Sequence, residues 1–149
     1  MSQQVTEIAP VTKSIVVKRS PEEAFRVYTE GMATWWPFET HSPSGKSETL
    51  VIEPREGGRL YERTTDGEEL DWGEVLAWDP PRRFAHSWHL GRSVATEVEL
   101  RFTPQGDDTL VELVHSGWER HGEYAAKLRA QYDSGWDFVF GERYGSALR

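Results

Sequence analysis

The chain contains no cysteine among its 149 residues. A disulfide framework, a thiolate zinc or iron–sulfur site and a cysteine nucleophile are therefore excluded. Long hydrophobic runs are also missing, and nothing approaches the ~20 apolar residues of a membrane-spanning helix. The first residues, Met1 to Val11, have no basic segment followed by an apolar one. They do not read as a secretory signal, so a cytoplasmic location without a membrane partner is the default expectation. Positive charge is scarce: Lys and Arg number 17 against 25 Asp and Glu, for a net charge of −8. Broad nucleic-acid binding needs basic surface to neutralise phosphates and is not expected. No G-x-G-x-x-G dinucleotide fingerprint and no G-x-S-x-G nucleophile elbow occurs. Gly45-Lys46-Ser47 matches the end of a phosphate loop, but Thr40 stands where its first glycine belongs and a strand follows, so it reads as loop.

What the chain does have is tryptophan, seven in all. Tryptophan is large and seldom fully buried, so this many must fill a wide core or line a cavity. The length suits one domain with a core of its own. Residues 1–10 read as a flexible leader and 11–149 as a single domain. Val11 to Lys18 is β-branched and strand-like. Ser20-Pro21-Glu22-Glu23 is a helix start, with Ser20 as N-cap, Pro21 in the first turn and Glu23 completing a capping box. Gly31 ends that helix, and a second short turn carries Ala33 to Trp36. Residues 39–47 are a polar loop. Antiparallel strands follow to residue 116, punctuated by Asp66-Gly67, Asp79-Pro80-Pro81, Gly91 and Gly106-Asp107-Asp108. From about Glu123 the chain reads as helix. Helices segregated from a meander of strands define the α+β class.

Strand alternation assigns faces. Phe84, His86 and Trp88 share one face; so do Val94, Thr96, Val98, Leu100 and Phe102, and again Thr109, Val111, Leu113 and His115. These sets should face the long helix, which points His86 and His115 inward and His89 outward. On the helix, Tyr124, Leu128, Tyr132, Gly135, Trp136 and Val139 recur at three- and four-residue steps. Gly135 costs about 1 kcal/mol relative to Ala in a helix, so close approach to the sheet or to a ligand is the expected reason for it.

The order and spacing of Val51-Ile52-Glu53-Pro54-Arg55-Glu56-Gly57-Gly58, Asp66-Gly67, Gly73-Glu74-Val75, Pro80-Pro81-Arg82-Arg83-Phe84, Trp88, Asp108-Thr109 through His115, and Gly135-Trp136 resemble a known signature. It is that of the family named after the homologue of the heat-shock protein 90 ATPase activator, within the START-like, birch-pollen-allergen-like (SRPBCC) superfamily. The resemblance spans roughly residues 12–148, a single domain. It implies a helix-grip fold: a curved seven-stranded antiparallel sheet around a long C-terminal helix, with two short helices after the first strand. It also implies a cavity between sheet and helix that in many members holds an apolar or amphipathic molecule. The short hairpin from His89 to Val94 and the Trp35-Trp36 pair depart from the family pattern.

With that cavity in view, Trp35, Trp36, Phe38, Tyr61, Trp72, His86, Trp88, His115, Trp118 and Trp136 are the candidate ligand-binding residues. Pockets of this kind are mostly apolar and aromatic with a few placed polar groups, and an indole offers a stacking face and one N–H. The same rings could simply be core. A neutral histidine could hold a ligand hydroxyl or carbonyl, or act as a base. His86 and His89 lie three apart on a strand and face opposite sides, and His115, Glu119 and His121 match no ligand spacing, so no metal and no cofactor is expected. The run from Glu119 to Glu123 reads as a solvated approach to the helix, with Arg120 at the cavity rim as the alternative. The expected function is binding of a small hydrophobic or aromatic molecule, with a homodimer left open. A cyclase-, aromatase- or hydrolase-like enzyme using the cavity histidines is the alternative, and a co-chaperone-like interaction domain the third reading.

Overall fold

A computed structural model describes residues 8–38, 40–41, 47–89 and 94–148. Of the leader expected over residues 1–10, residues 1–7 lie outside this range. The Ala9 and Pro10 carbonyls accept from the Arg129 guanidinium at 2.6 and 3.0 Å. Most of the polar loop, and residues 90–93 of the short hairpin, also lie outside the described residues.

The β-branched start forms β1, Val11–Val17, as such composition favours. Ser20 then caps α1, Pro21–Thr29, its Oγ accepting from the Glu23 N–H at 3.2 Å. The Glu23 carboxylate, expected to complete a capping box, pairs with Arg19 at 3.3 Å. A short α2, Met32–Trp35, follows. Six strands come next: β2 Ser47–Ile52, β3 Arg59–Thr64, β4 Glu69–Asp79, β5 Arg83–Trp88, β6 Thr96–Gln105 and β7 Asp108–Ser116. They join β1 in one seven-stranded sheet of order β1-β7-β6-β5-β4-β3-β2, antiparallel at every pairing. The meander runs from β2 to β7, and β1 closes against β7 at the far edge.

Besides a register shift at the start of β2, the sheet bends at two further shifts. One lies between β3 and β4 beside Trp72, the other between β4 and β5 beside Leu76. Extra residues of this kind kink a strand and raise its twist. Gly73 makes the bend possible, because a Cβ there would stand 1.9 Å from the Ser87 carbonyl oxygen. The two backbones are stitched by Glu74 N–H to Ser87 Oγ and His89 N–H to Trp72 O, both at 2.8 Å.

A 3-10 segment, Trp118–Tyr124, leads into α3, Ala125–Trp136, which continues as a π-helical stretch, Asp137–Tyr144, and ends in the single turn α4, Gly145–Ala147. The helix expected from Glu123 starts at Ala125, because Gly122 at φ 60° breaks the preceding turn. For that reason Tyr124 falls outside the helical face and is exposed. The helix is tied to the sheet and to both short helices. Lys13 reaches Asp133 and Asp137 at 2.7 and 2.8 Å. Tyr144 Oη donates to Ala24 O at 2.7 Å, and Arg143 Nε donates to Trp35 O at 2.9 Å. The architecture is the α+β helix-grip arrangement: a curved sheet gripping one C-terminal helix.

Candidate functional site

Register places the site's floor. His86 on β5 pairs with Val98 on β6, and Val98 pairs with His115 on β7. Paired residues share a face, so the three form one row across the concave side. All three are fully buried. His89 is half-buried.

The indoles gather over this row. Trp36 lies 5.1 Å from Trp72, 5.5 Å from Trp88 and 6.2 Å from Trp136, centroid to centroid. Trp88 meets His86 at 5.4 Å and His115 at 6.4 Å. Trp118 lies 4.1 Å from His115 with its ring tilted against the imidazole, Trp35 meets Trp36 at 6.0 Å, and Phe38 meets Trp72 at 6.4 Å. Every candidate except Tyr61 thus belongs to one connected aromatic network. Pairs at these separations and tilts each add about 0.5–1.5 kcal/mol beyond area burial, so the rings are core to one another.

Their polar ends are also committed. Trp35 Nε1 donates to Val27 O, Trp36 Nε1 to His41 O, and Trp118 Nε1 to His115 O, at 2.8, 2.9 and 2.9 Å. Trp72 Nε1 donates to Glu62 Oε1 at 2.9 Å, and Trp88 Nε1 to Tyr132 Oη at 3.1 Å. Trp136 Nε1 donates to His115 Nδ1 at 3.0 Å.

His115 is locked by its neighbours. Its Nδ1 accepts from Trp136, so the proton sits on Nε2, which donates to Thr96 Oγ1 at 2.6 Å. Thr96 Oγ1 in turn donates to Trp88 O at 3.2 Å. Burial, helped by nearby His86 and His121, pushes its pKa down to about 3. With both nitrogens engaged, His115 serves as a joint between helix and sheet.

His86 differs. Its Nδ1 lies 2.9 Å from the Ser87 carbonyl. A carbonyl only accepts, so Nδ1 carries the proton and Nε2 presents a bare lone pair. That atom is buried without a hydrogen-bond partner, as is the Tyr28 hydroxyl; these are the two such side-chain atoms among the described residues. Leaving a buried polar group unmatched costs about 1–3 kcal/mol. Burial pushes the His86 pKa down to about 4, partly offset by the Ser87 carbonyl, so the ring is neutral at neutral pH.

Tyr61 stands apart from the indoles. Leu60, Glu62 and Thr64 are its buried neighbours on the concave face of β3. Tyr61 points to the other face, with the Arg59 guanidinium 4.0 Å above its ring. The concave position belongs to Glu62, fully buried and hydrogen-bonded to Trp72. Sequence reasoning missed Glu62, although its even spacing from Leu60 and Thr64 is the signal. It also passed over Tyr28, which sits on the apolar face of α1. Arg120 donates to Ala95 O at 3.1 Å and pairs with Glu97 at 3.5 Å, which favours the structural reading of that charged run. Gly135 has no close approach, since a Cβ built there meets nothing within 4 Å.

A separate groove of about 400 Å³ opens between α1 and the β4–β5 turn, lined by Phe25, Arg26, Thr29, Trp78, Pro80 and Pro81 among others. None of the residues selected from the sequence lines it. Among the described residues no group of three histidines or carboxylates is placed to hold a metal ion, and no helix is long and apolar enough to cross a membrane.

Residues 18–141 match the family model described as activator of Hsp90 ATPase homolog 1-like protein. Among solved structures, the chain is 38% identical to the anthrahydroquino-γ-pyrone synthase Txn09 complexed with SUM, with 94% of this chain and 97% of that one covered and a TM-score of 0.62. It is 25% identical to CalC, a self-sacrificing resistance protein from Micromonospora echinospora, covering 94% of each chain at a TM-score of 0.67. Protein BH1534 from Bacillus halodurans shares the fold at a TM-score of 0.72 and 17% identity, covering 97% of this chain and all of that one. No protein of curated function matches the chain.

Proposed function

The chain belongs to the family of activator of Hsp90 ATPase homolog 1-like proteins, and on that premise we propose that it binds a small, flat aromatic molecule between the concave face of its sheet and its C-terminal helix. The observation that carries this reading is the buried aromatic network over the His86–Val98–His115 row, in which the indole N–H groups are used internally and Nε2 of His86 is left without a hydrogen-bond partner. Apolar walls with a few placed polar groups suit such a ligand. The likeness to a synthase named for an anthrahydroquinone-derived pyrone supports a polycyclic aromatic ligand class.

The test is titration with the neutral 2-(hydroxymethyl)anthraquinone, followed by quenching of indole emission. Saturable one-to-one quenching is the expected result; a linear, unsaturable response speaks against the reading. Native mass spectrometry of freshly purified protein provides a second readout, an organic mass that copurifies.

A second reading, a cyclase-like enzyme acting on the same ligand, is favoured by the 38% identity to a synthase. Within it, His115 cannot be the acid–base group, because both ring nitrogens hold structural hydrogen bonds. His86 keeps a bare Nε2 and would be the weak base. The co-chaperone-like reading has less support. The exposed large apolar side chains among the described residues, Val16, Leu76, Tyr124 and Phe138, sit on four different elements, and singly exposed residues of this kind are ordinary.

A further inference from the structure

The six indole N–H groups of the network, and both nitrogens of His115, have partners within the chain. Two buried polar atoms do not: Nε2 of His86 and the hydroxyl of Tyr28. We propose that these two atoms are the ligand's hydrogen-bonding contacts, and that the ligand is a neutral hydroxyaryl compound whose O–H donates to His86 Nε2 while a second ring oxygen accepts from Tyr28 Oη. This inference rests on the aromatic-ligand reading above and specifies its chemistry.

The two atoms share a neighbourhood. The Phe84 ring lies 5.1 Å from His86 and 6.2 Å from Tyr28. Trp88 lies 5.4 Å from His86, and Trp35 and Tyr144 lie 5.2 and 5.1 Å from Tyr28. Aromatic rings therefore pack around both side chains. The roles of donor and acceptor follow from the chain itself. The bond between Nδ1 and the Ser87 carbonyl fixes the His86 tautomer, so Nε2 can only accept. Burial raises the Tyr28 pKa well above the usual phenol range, so its hydroxyl keeps its proton and can donate. A ligand O–H satisfies the first atom, and an ether or carbonyl oxygen satisfies the second. An aryl ether without a hydroxyl leaves Nε2 unmatched, and a carboxylate meets a neutral imidazole with no charge to answer it. Sites that hydrogen-bond a hydroxyl discriminate against analogues lacking it, because a buried polar group is then left bare.

The test is isothermal titration calorimetry of the full chain with 1-naphthol, 1-methoxynaphthalene and 4-methoxy-1-naphthol. The wild type should bind 1-naphthol about tenfold more tightly than 1-methoxynaphthalene, a typical worth for one buried hydrogen bond. In His86→Phe, which fills the same space without the lone pair, the two should bind alike. The second oxygen of 4-methoxy-1-naphthol should tighten binding several-fold in the wild type and not in Tyr28→Phe. A readout that needs no variant is the ¹⁵N signal of His86 Nε2, which should move on addition of 1-naphthol and stay in place with 1-methoxynaphthalene. Equal affinities in the wild type with an unmoved signal would overturn this inference and leave the aromatic-ligand reading standing. Failure of the whole naphthalene series and of 2-(hydroxymethyl)anthraquinone to bind overturns both.

Discussion

Acidification should loosen this protein through its two buried histidines before its carboxylates contribute. His86 and His115 are held neutral, with pKa values pushed down to about 4 and about 3, whereas a histidine in the unfolded chain titrates near 6.5. Below about pH 6.5 the unfolded chain therefore binds two protons that the native state refuses. The stabilisation is fully present above that pH and is lost as pH falls toward the native values. Each group removes about 1.4 kcal/mol per pH unit, so the pair removes about 5 kcal/mol over two units. That is comparable to the whole stability of many domains. The structural cause is plain at His115: a proton on Nδ1 would face the Trp136 N–H that this atom now accepts, 3.0 Å away. The carboxylates held low by ion pairs, Glu69, Glu99 and Asp133, act in a different window. Their contribution persists down to the ordinary carboxylate range and fades only below it. The assay is urea unfolding followed by indole emission at several pH values from neutral to about 5, with midpoints and slopes compared. The wild type should lose stability steadily across this range, and a His86→Phe, His115→Gln double variant should lose much less per unit despite a lower starting stability. A flat wild-type profile, or an identical fall in the double variant, would refute the protonation argument.

Gly135→Ala should stabilise the fold by about 1 kcal/mol and raise Tm by about 3 °C, because a helical glycine is replaced where a Cβ meets nothing within 4 Å. Thermal unfolding checks this; a lower Tm would mean the helix face is tighter than its geometry states, and a weaker grip on 2-(hydroxymethyl)anthraquinone would mean the ligand uses that space. Gly73→Ala should destabilise by about 3 kcal/mol, since its Cβ would sit 1.9 Å from the Ser87 carbonyl oxygen and the bend there must open; wild-type-like urea midpoints would contradict that. Tyr61→Phe should leave probe affinity unchanged, because the ring lies under Arg59 on the sheet's other face, and a marked loss of affinity would place Tyr61 in the site after all.

Legibility in the sequence followed the regularity of the backbone. β5, β6 and β7 pair without interruption, so counting by twos put Phe84, His86, Trp88, Val98 and His115 on one face. The Ser20 cap and Pro21 were readable because they act within one turn. Where the sheet bends, the count fails: the extra residue beside Trp72 shifts the parity of β4 against β3, and a one-residue shift exchanges the faces. An aromatic ring alone points to Tyr61 as a pocket residue, while the parity of its own strand gives the inward position to Glu62. The π-helical stretch after Trp136 does not follow the 3.6-residue period by which a helix is read from sequence.

The harder gap concerned polar partners, and it bears most directly on function. A sequence can place His86 and His115 on the same face, and it then has no reason to treat them differently. What separates them is remote in the chain: the Thr96 hydroxyl and the Trp136 indole, 19 and 21 residues from His115, take up both of its nitrogens. Nothing comparable reaches Nε2 of His86. Folded chains leave few buried polar atoms without partners, so such an atom amid aromatic rings is better evidence for a ligand than the rings themselves, which satisfy one another. On the reading proposed above, recognition turns on the His86 imidazole, whose Nε2 the indole groups leave without a partner.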